Sequence, residues 1–314
     1  MSTPDPTGAT VGGTVLGRPE LIGRRVNRCP SDRMTDLQVA VHGRPTSSLA
    51  AHARPDPRSL TLRQLWRHSA YEAVLTTVLL FAAATLVRWV FGPSPVSRAI
   101  PGIHLRLLVV GVVVGLLLAG LIRSLLGQAS GGHMNPAISL AMWRFGVFPG
   151  RGVLPYWAGQ LVGSLLGVLL ARVVWGPAVA GPPVAYAALR PAPGWSNVAL
   201  FPAETASMAT VVMIVGFFLS VPRLALRVPW LVGGLVGAAI AGLGPLTGGS
   251  INPARQFGPA VFAEAFGFLV TYLLAPLVGA VVAAWLLGRL QHREVLTHRL
   301  CGLLNTDAAP RGRL

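Results

Sequence analysis

Six stretches of this chain are apolar enough and long enough to cross a bilayer, and that feature excludes nearly every soluble fold. A spanning helix needs roughly 20 mostly apolar residues. Such stretches run over about residues 69–91, 105–126, 153–174, 201–221, 228–246 and 266–287. Only 11% of the 314 residues are charged, against about 25% in a soluble domain. The expected fold class is an all-α membrane protein. An even number of spans leaves both chain ends on one side. Basic residues gather on the cytoplasmic side of spans. That rule puts both termini, Arg144, Arg151, Arg223 and Arg227 inside a cell (plasma) membrane, with Arg98 and Arg190 as outer-loop exceptions.

The same rule accounts for the net charge of +16. All 26 basic residues are Arg, and ten of them lie in residues 1–67, ahead of the first apolar stretch. A basic chain invites a nucleic-acid reading, but Arg flanking membrane spans is expected from topology alone, so no nucleic-acid partner is expected. Residues 1–65 are rich in Arg, Pro, Gly, Ser and Thr without an apolar period, which predicts a disordered cytoplasmic tail. The Arg24, Arg25, Arg28 cluster could touch a lipid surface or carry an interaction role beside whatever the spans do. Residues 291–314 are read as a cytoplasmic C-terminal tail. Cys29 and Cys301 are too far apart to form a metal or disulfide pattern. No cofactor and no metal site are expected.

Two pieces are too short to cross. GGHMNPAISLAMWRFG covers residues 131–146 and GGSINPARQFGPAVF covers 248–262. Both begin with paired glycines and then Asn-Pro-Ala: Asn135, Pro136, Ala137 in one, and Asn252, Pro253, Ala254 in the other. Asn is a good helix N-cap, Pro suits the first helical position and Ala continues the helix. One such tripeptide is an ordinary helix start. Two at matched places among six spans are not. The match extends outward, to Tyr71-Glu72-Ala73 opening the first span and Ala203-Glu204-Thr205 opening the fourth. The channel domain of residues 66–290 thus divides into repeats of about 66–175 and 200–290, each with three spans. Three spans per repeat invert the second relative to the first, and inverted repeats place a site at their interface near the bilayer midplane.

On these residues the chain resembles the major intrinsic protein family, the aquaporins and glycerol facilitators. The resemblance rests on SGGHMNPA, TGGSINPARQFGPA, Glu72 and Glu204, and it covers roughly residues 66–290. It implies six transmembrane helices plus two half-helices in an inverted-repeat bundle, assembled as a homotetramer with one pore per subunit. Half-helices that aim their N-termini at the midplane set two positive dipole ends face to face. Asn135 and Asn252 would then offer amide donors to a permeating hydroxyl, while the field opposes cations and protons.

An Arg at membrane depth is a functional candidate, and the resemblance makes Arg255 a selectivity-filter residue. It also implies that Glu72 and Glu204 accept hydrogen bonds from the loop backbone and hold each half-helix; placement near a helix N-terminus is the alternative account. His133 would line the cytoplasmic half of the pore, where a gating role calls for permeability that changes across the His titration range and is lost in His133→Ala. Counting back from Asn135 and Asn252 puts the other filter positions at Gly115, Ile240 and Gly249, with Ala239 or Ala241 as alternatives to Ile240.

That ring contains no aromatic residue. Water-selective members have Phe, His and a small residue with the Arg; glycerol facilitators have two aromatics and Gly. The ring here is similar to that of members with Gly, a small residue, Gly and Arg, which pass metalloid acids. Gly244-Pro245-Leu246-Thr247-Gly248 resembles glycerol facilitators, whereas Gln256 matches neither their Asp nor the water channels' Ser. The expected activity is a passive channel for water or small uncharged solutes: glycerol, urea or neutral metalloid hydroxides. The competing reading is an ion-coupled secondary transporter, but the spans offer only Glu72 and Glu204 for coupling. A membrane enzyme is disfavoured, since no serine elbow, metal cluster or paired carboxylates occur.

Overall fold

The structure is a computed structural model that describes residues 60–291 and 294–304. The cluster Arg24, Arg25, Arg28, the residue Cys29, the rest of the expected tail before residue 60, and residues 305–314 lie outside the described residues.

The regular secondary structure of the described residues is helical. Helix α1 spans Leu62–Phe91, α2 Ile103–Arg123, α3 Leu125–Ser130 and α4 Pro136–Arg144. Helix α5 spans Val153–Trp175, α6 Asn197–Leu219, α7 Val228–Leu243, α8 Pro253–Phe262 and α9 Leu269–Leu290. Helices α1, α2, α5, α6 and α9 are long and apolar enough to cross a membrane. With 16 residues, α7 is shorter, about 24 Å at 1.5 Å per residue. The expected fifth span ran on to residue 246. The helix stops at Leu243 because Pro245 has no N–H to continue it, and the Thr247 and Gly248 N–H groups fold back onto the Leu243 carbonyl.

Other helix ends depart from the apolar windows because caps, not hydropathy, set them. Thr61 and Gln64 form a reciprocal capping box, so α1 begins well ahead of residue 69 and takes in residues 62–65, read as tail. Ser196 caps α6 through the Ala199 N–H. The second span was expected to reach residue 126, but it breaks at Ser124 (φ −64°, ψ 162°), whose hydroxyl caps α3 instead.

Helix pairing follows the repeat. α1 packs on α5, α6 on α9, and α2 on α7. Small residues line these seams, as they do where membrane helices approach by van der Waals contact. Gly159, Gly163 and Gly167 of α5 face the backbone carbonyls of Ser69, Ala73 and Thr77 of α1, and Gly279 of α9 faces that of Thr205 of α6. On the outside of the bundle Leu154, Val173 and Val270 are 71%, 73% and 67% exposed. Such large apolar exposure suits hydrocarbon rather than water.

Candidate functional site

The two short helices meet end to end. Asn135 and Asn252 are the N-caps of α4 and α8, with Pro at the first helical position in both. The Asn135 side-chain oxygen accepts from Ala137 N–H at 2.9 Å. That of Asn252 accepts from Ala254 N–H at 2.9 Å and Arg255 N–H at 3.3 Å. The amide nitrogens reach across. Asn135 Nδ2 donates to the Ile251 carbonyl at 3.0 Å, and Asn252 Nδ2 to the Met134 carbonyl at 2.9 Å. Each Asn therefore spends one amide hydrogen clamping the opposite loop, and its second is left for the lumen. The residue before each Asn is left-handed, Met134 at φ 46° and Ile251 at φ 41°. This conformation is costly for a side chain with a Cβ, and such residues cluster where surroundings over-determine them.

Glu72 and Glu204 are that determination. Both are fully buried. Neither sits at a helix start: Glu72 lies ten residues into α1, about 15 Å, which removes the dipole account. Glu72 Oε1 accepts from Ser130 Oγ at 2.7 Å and His133 N–H at 3.0 Å. Its Oε2 accepts from Met134 N–H at 2.6 Å and Gln160 Nε2 at 3.0 Å. Glu204 accepts from Ser250 N–H at 3.3 Å and Ile251 N–H at 2.9 Å.

A cavity of about 200 Å³ runs past this junction. Asn135, Asn252, Arg255, Ile240, Gly249 and His133 all line it, within walls of Val, Leu, Ile and Ala. Arg255 is half-buried and donates from Nη1 to the Ala187 carbonyl at 2.8 Å. That carbonyl is presented by residues 185–187, all at positive φ.

The family model described as Major intrinsic protein matches residues 59–287. The chain belongs to the major intrinsic protein family. It is 36% identical over 192 residues to a probable aquaporin, AqpM, of Archaeoglobus fulgidus, covering 56% of this chain and 74% of that one. It is 33% identical over 186 residues to the propanediol uptake facilitator PduF of Citrobacter freundii, covering 49% and 69% respectively. The solved aquaglyceroporin of Plasmodium falciparum superposes with a TM-score of 0.59 at 19% identity, covering 72% of this chain and 96% of that one. At that identity the likeness is one of fold.

Within this family member one expected filter residue needs correcting. Gly115 does not line the cavity. A Cβ there would meet the Gly233 carbonyl oxygen at 2.5 Å, so Gly115 is where α2 and α7 touch backbone to backbone. Its neighbour Val114 lines the cavity instead. The count from Asn135 crosses the Ser124 break, and a one-residue slip turns a helical side chain through about 100°. Of the alternatives to Ile240, the Ala239 carbonyl backs Gly249 and Ala241 borders a separate outer groove.

Several supporting residues were missed from sequence. Tyr156 donates to the Ser130 carbonyl at 2.6 Å, and Tyr272 to the Thr247 carbonyl at 2.5 Å. Ser130 Oγ accepts from Gly132 N–H at 3.2 Å, and Thr247 Oγ1 from Gly249 N–H at 3.1 Å. The repeat itself carried the signal, because both tyrosines stand five residues before a Leu-Val-Gly, at 161–163 and 277–279. Gln256, the departure from the family pattern, exchanges two 3.0 Å hydrogen bonds with the Leu189 backbone and pins the loop that meets Arg255. Among the described residues no three His, Cys, Asp or Glu side chains converge as a metal site.

Proposed function

We propose that this chain is a passive, non-enzymatic channel for water and small uncharged solutes of the glycerol, urea or neutral metalloid hydroxide class. The observation that carries this reading is the pair of half-helix N-termini meeting in one cavity lined by Asn135, Asn252 and Arg255. Each N-terminus presents roughly half a positive charge. Together with the Arg255 guanidinium they oppose a cation, while the free amide hydrogens welcome a neutral hydroxyl. Apolar walls opposite these donors suit solutes with one carbon edge and one hydroxyl edge. The filter ring in this reading is Val114, Ile240, Gly249 and Arg255, with no aromatic to narrow it. Glu72 and Glu204, the two carboxylates within the described spans, are occupied in holding the loops, which leaves neither for ion coupling.

The reading extends to a homotetramer in the plasma membrane with both termini cytoplasmic. It takes residues 62–290 as the channel domain, since α1 begins at Leu62.

Proteoliposome swelling tests it with water, glycerol, urea and arsenite. All four are expected to move down their own gradients without saturation. Rapid water flow with no solute uptake would sink the wide ring, and saturable uptake that follows an ion gradient would make the protein a coupled transporter. Arg255→Val should raise glycerol and urea flux several-fold, since it widens the ring, and should admit small cations that the parent excludes. An unchanged conductance to cations would take ion exclusion away from Arg255.

A further inference from the structure

Residues 291–314, expected to form a cytoplasmic tail, do not all leave the molecule. Residues 294–304 fold back under the loop that carries the first Asn-Pro-Ala. Leu296 N–H donates to the Leu219 carbonyl at the end of α6 (3.1 Å), and Leu300 N–H to the Gly131 carbonyl (3.0 Å). His133 Nε2 lies 3.0 Å from the His298 carbonyl oxygen, so the imidazole donor at that end of the cavity is occupied by the segment rather than by a solute. The His298 ring packs on Phe148 with ring centres 5.3 Å apart, and on His133 at 5.6 Å. Gly302 rests on the Ala225 backbone. Val295, Leu300 and Cys301 join the main hydrophobic core. Leu300 is 1% exposed, and its place is in the wall of the same cavity, with Ile122, Gly132 and His133.

We propose that residues 294–304 are a cap that closes this mouth of the pore, with Leu300 as its plug, and that undocking the cap opens the channel. The inference rests on the channel reading above. The attachment is strong enough to hold and weak enough to release. It includes the two backbone hydrogen bonds and the His133–His298 contact, each about 1 kcal/mol net, together with the buried side chains of Val295, Leu300 and Cys301. A short terminal segment of this kind can open locally at less cost than global unfolding. Burial, followed by the neighbouring His133, Arg299 and His68, holds the His298 imidazole well below its ordinary range. Glu72 and Tyr156 stand next in this cluster, around His133. The docked form therefore binds neutral His298, while an undocked imidazole takes a proton near its ordinary value of about 6.5. Docking is at full strength above that value and weakens as pH falls below it.

The test compares the full chain, a chain ending at Gln291 and the full chain with Leu300→Gly, each monodisperse and reconstituted at equal density. If docking favours the cap about ten to one, both variants conduct roughly tenfold more than the full chain at about pH 7.5. Lowering pH to about 5.5 raises flux in the full chain and narrows the gap. In a Cys29→Ser chain Cys301 is the sole thiol, so maleimide should label it slowly and labelling should lift flux to the truncated level. A full chain that conducts as well as the Gln291-terminated chain at both pH values overturns the cap. So does Cys301 that labels at the rate of an exposed thiol, or labelling that leaves flux unchanged. If no form conducts any solute, the channel reading itself falls and the cap with it.

Discussion

Glu72→Ala is expected to yield almost no monodisperse protein, and what survives should conduct poorly. The carboxylate is fully buried and is the shared acceptor for Ser130 Oγ, His133 N–H, Met134 N–H and Gln160 Nε2. Removing it strands four donors at membrane depth, where no water replaces the lost bonds. A stranded buried donor costs about 1–3 kcal/mol. Even with strong non-additivity the total is several kcal/mol, a large part of the roughly 5–15 kcal/mol that holds a domain folded. The strained φ of Met134 then also lacks the bond that fixes it. Glu72→Gln should fail nearly as badly, because its amide nitrogen confronts two of those donors with a donor of its own. Glu204→Ala should be somewhat milder, since Glu204 holds the Ser250 and Ile251 N–H groups, one of them at 3.3 Å, and the Thr247 hydroxyl, one donor fewer than Glu72. Yield, detergent thermal midpoint and flux per folded molecule measure the series. A well-folded Glu72→Ala protein with parental flux would mean the loop is held without the carboxylate, by Asn135, Asn252 and Tyr156.

That network shows where the sequence was legible and where it was not. The half-helices were legible because Asn, Pro and Ala act locally: a cap, a fixed φ and a helix former need no tertiary partner. The resemblance pointed to the right partner for Glu72, but its physical setting was hidden. From hydropathy alone Glu72 sat near a helix start, because the polar first turns of α1 fell outside the apolar window. Thr61 and Gln64 set that start by capping. The tyrosine struts were visible only by aligning the two halves beyond their motifs. The fold-back of residues 294–304 was not legible at all, since its contacts are backbone bonds and single side chains spread over α6, the first glycine pair and the loop before α7. No periodicity records contacts of that kind.

The filter register separates sequence spacing from structure most sharply, and a pair of double mutants decides between them. Counting residues makes Gly115→Phe with Ile240→His the change that narrows the pore. The packing of α2 on α7 makes it the change that breaks the bundle. At Gly115 even a Cβ lies 2.5 Å from the Gly233 carbonyl oxygen, and Gly111 faces Gly237 one turn away. A phenyl ring cannot enter that seam without parting the two helices, and overpacking of a far smaller kind already costs about 1–3 kcal/mol. Gly115→Phe, alone or with Ile240→His, should therefore be lost at the level of folding. Val114→Phe with Ile240→His should fold, because both side chains face open cavity. It should cut glycerol and urea flux by about tenfold or more while water flux stays within a few-fold of the parent, as pore diameter and donor placement set which solutes pass. A stable, water-selective Gly115→Phe/Ile240→His protein beside an unaltered Val114→Phe/Ile240→His protein would return the filter to Gly115.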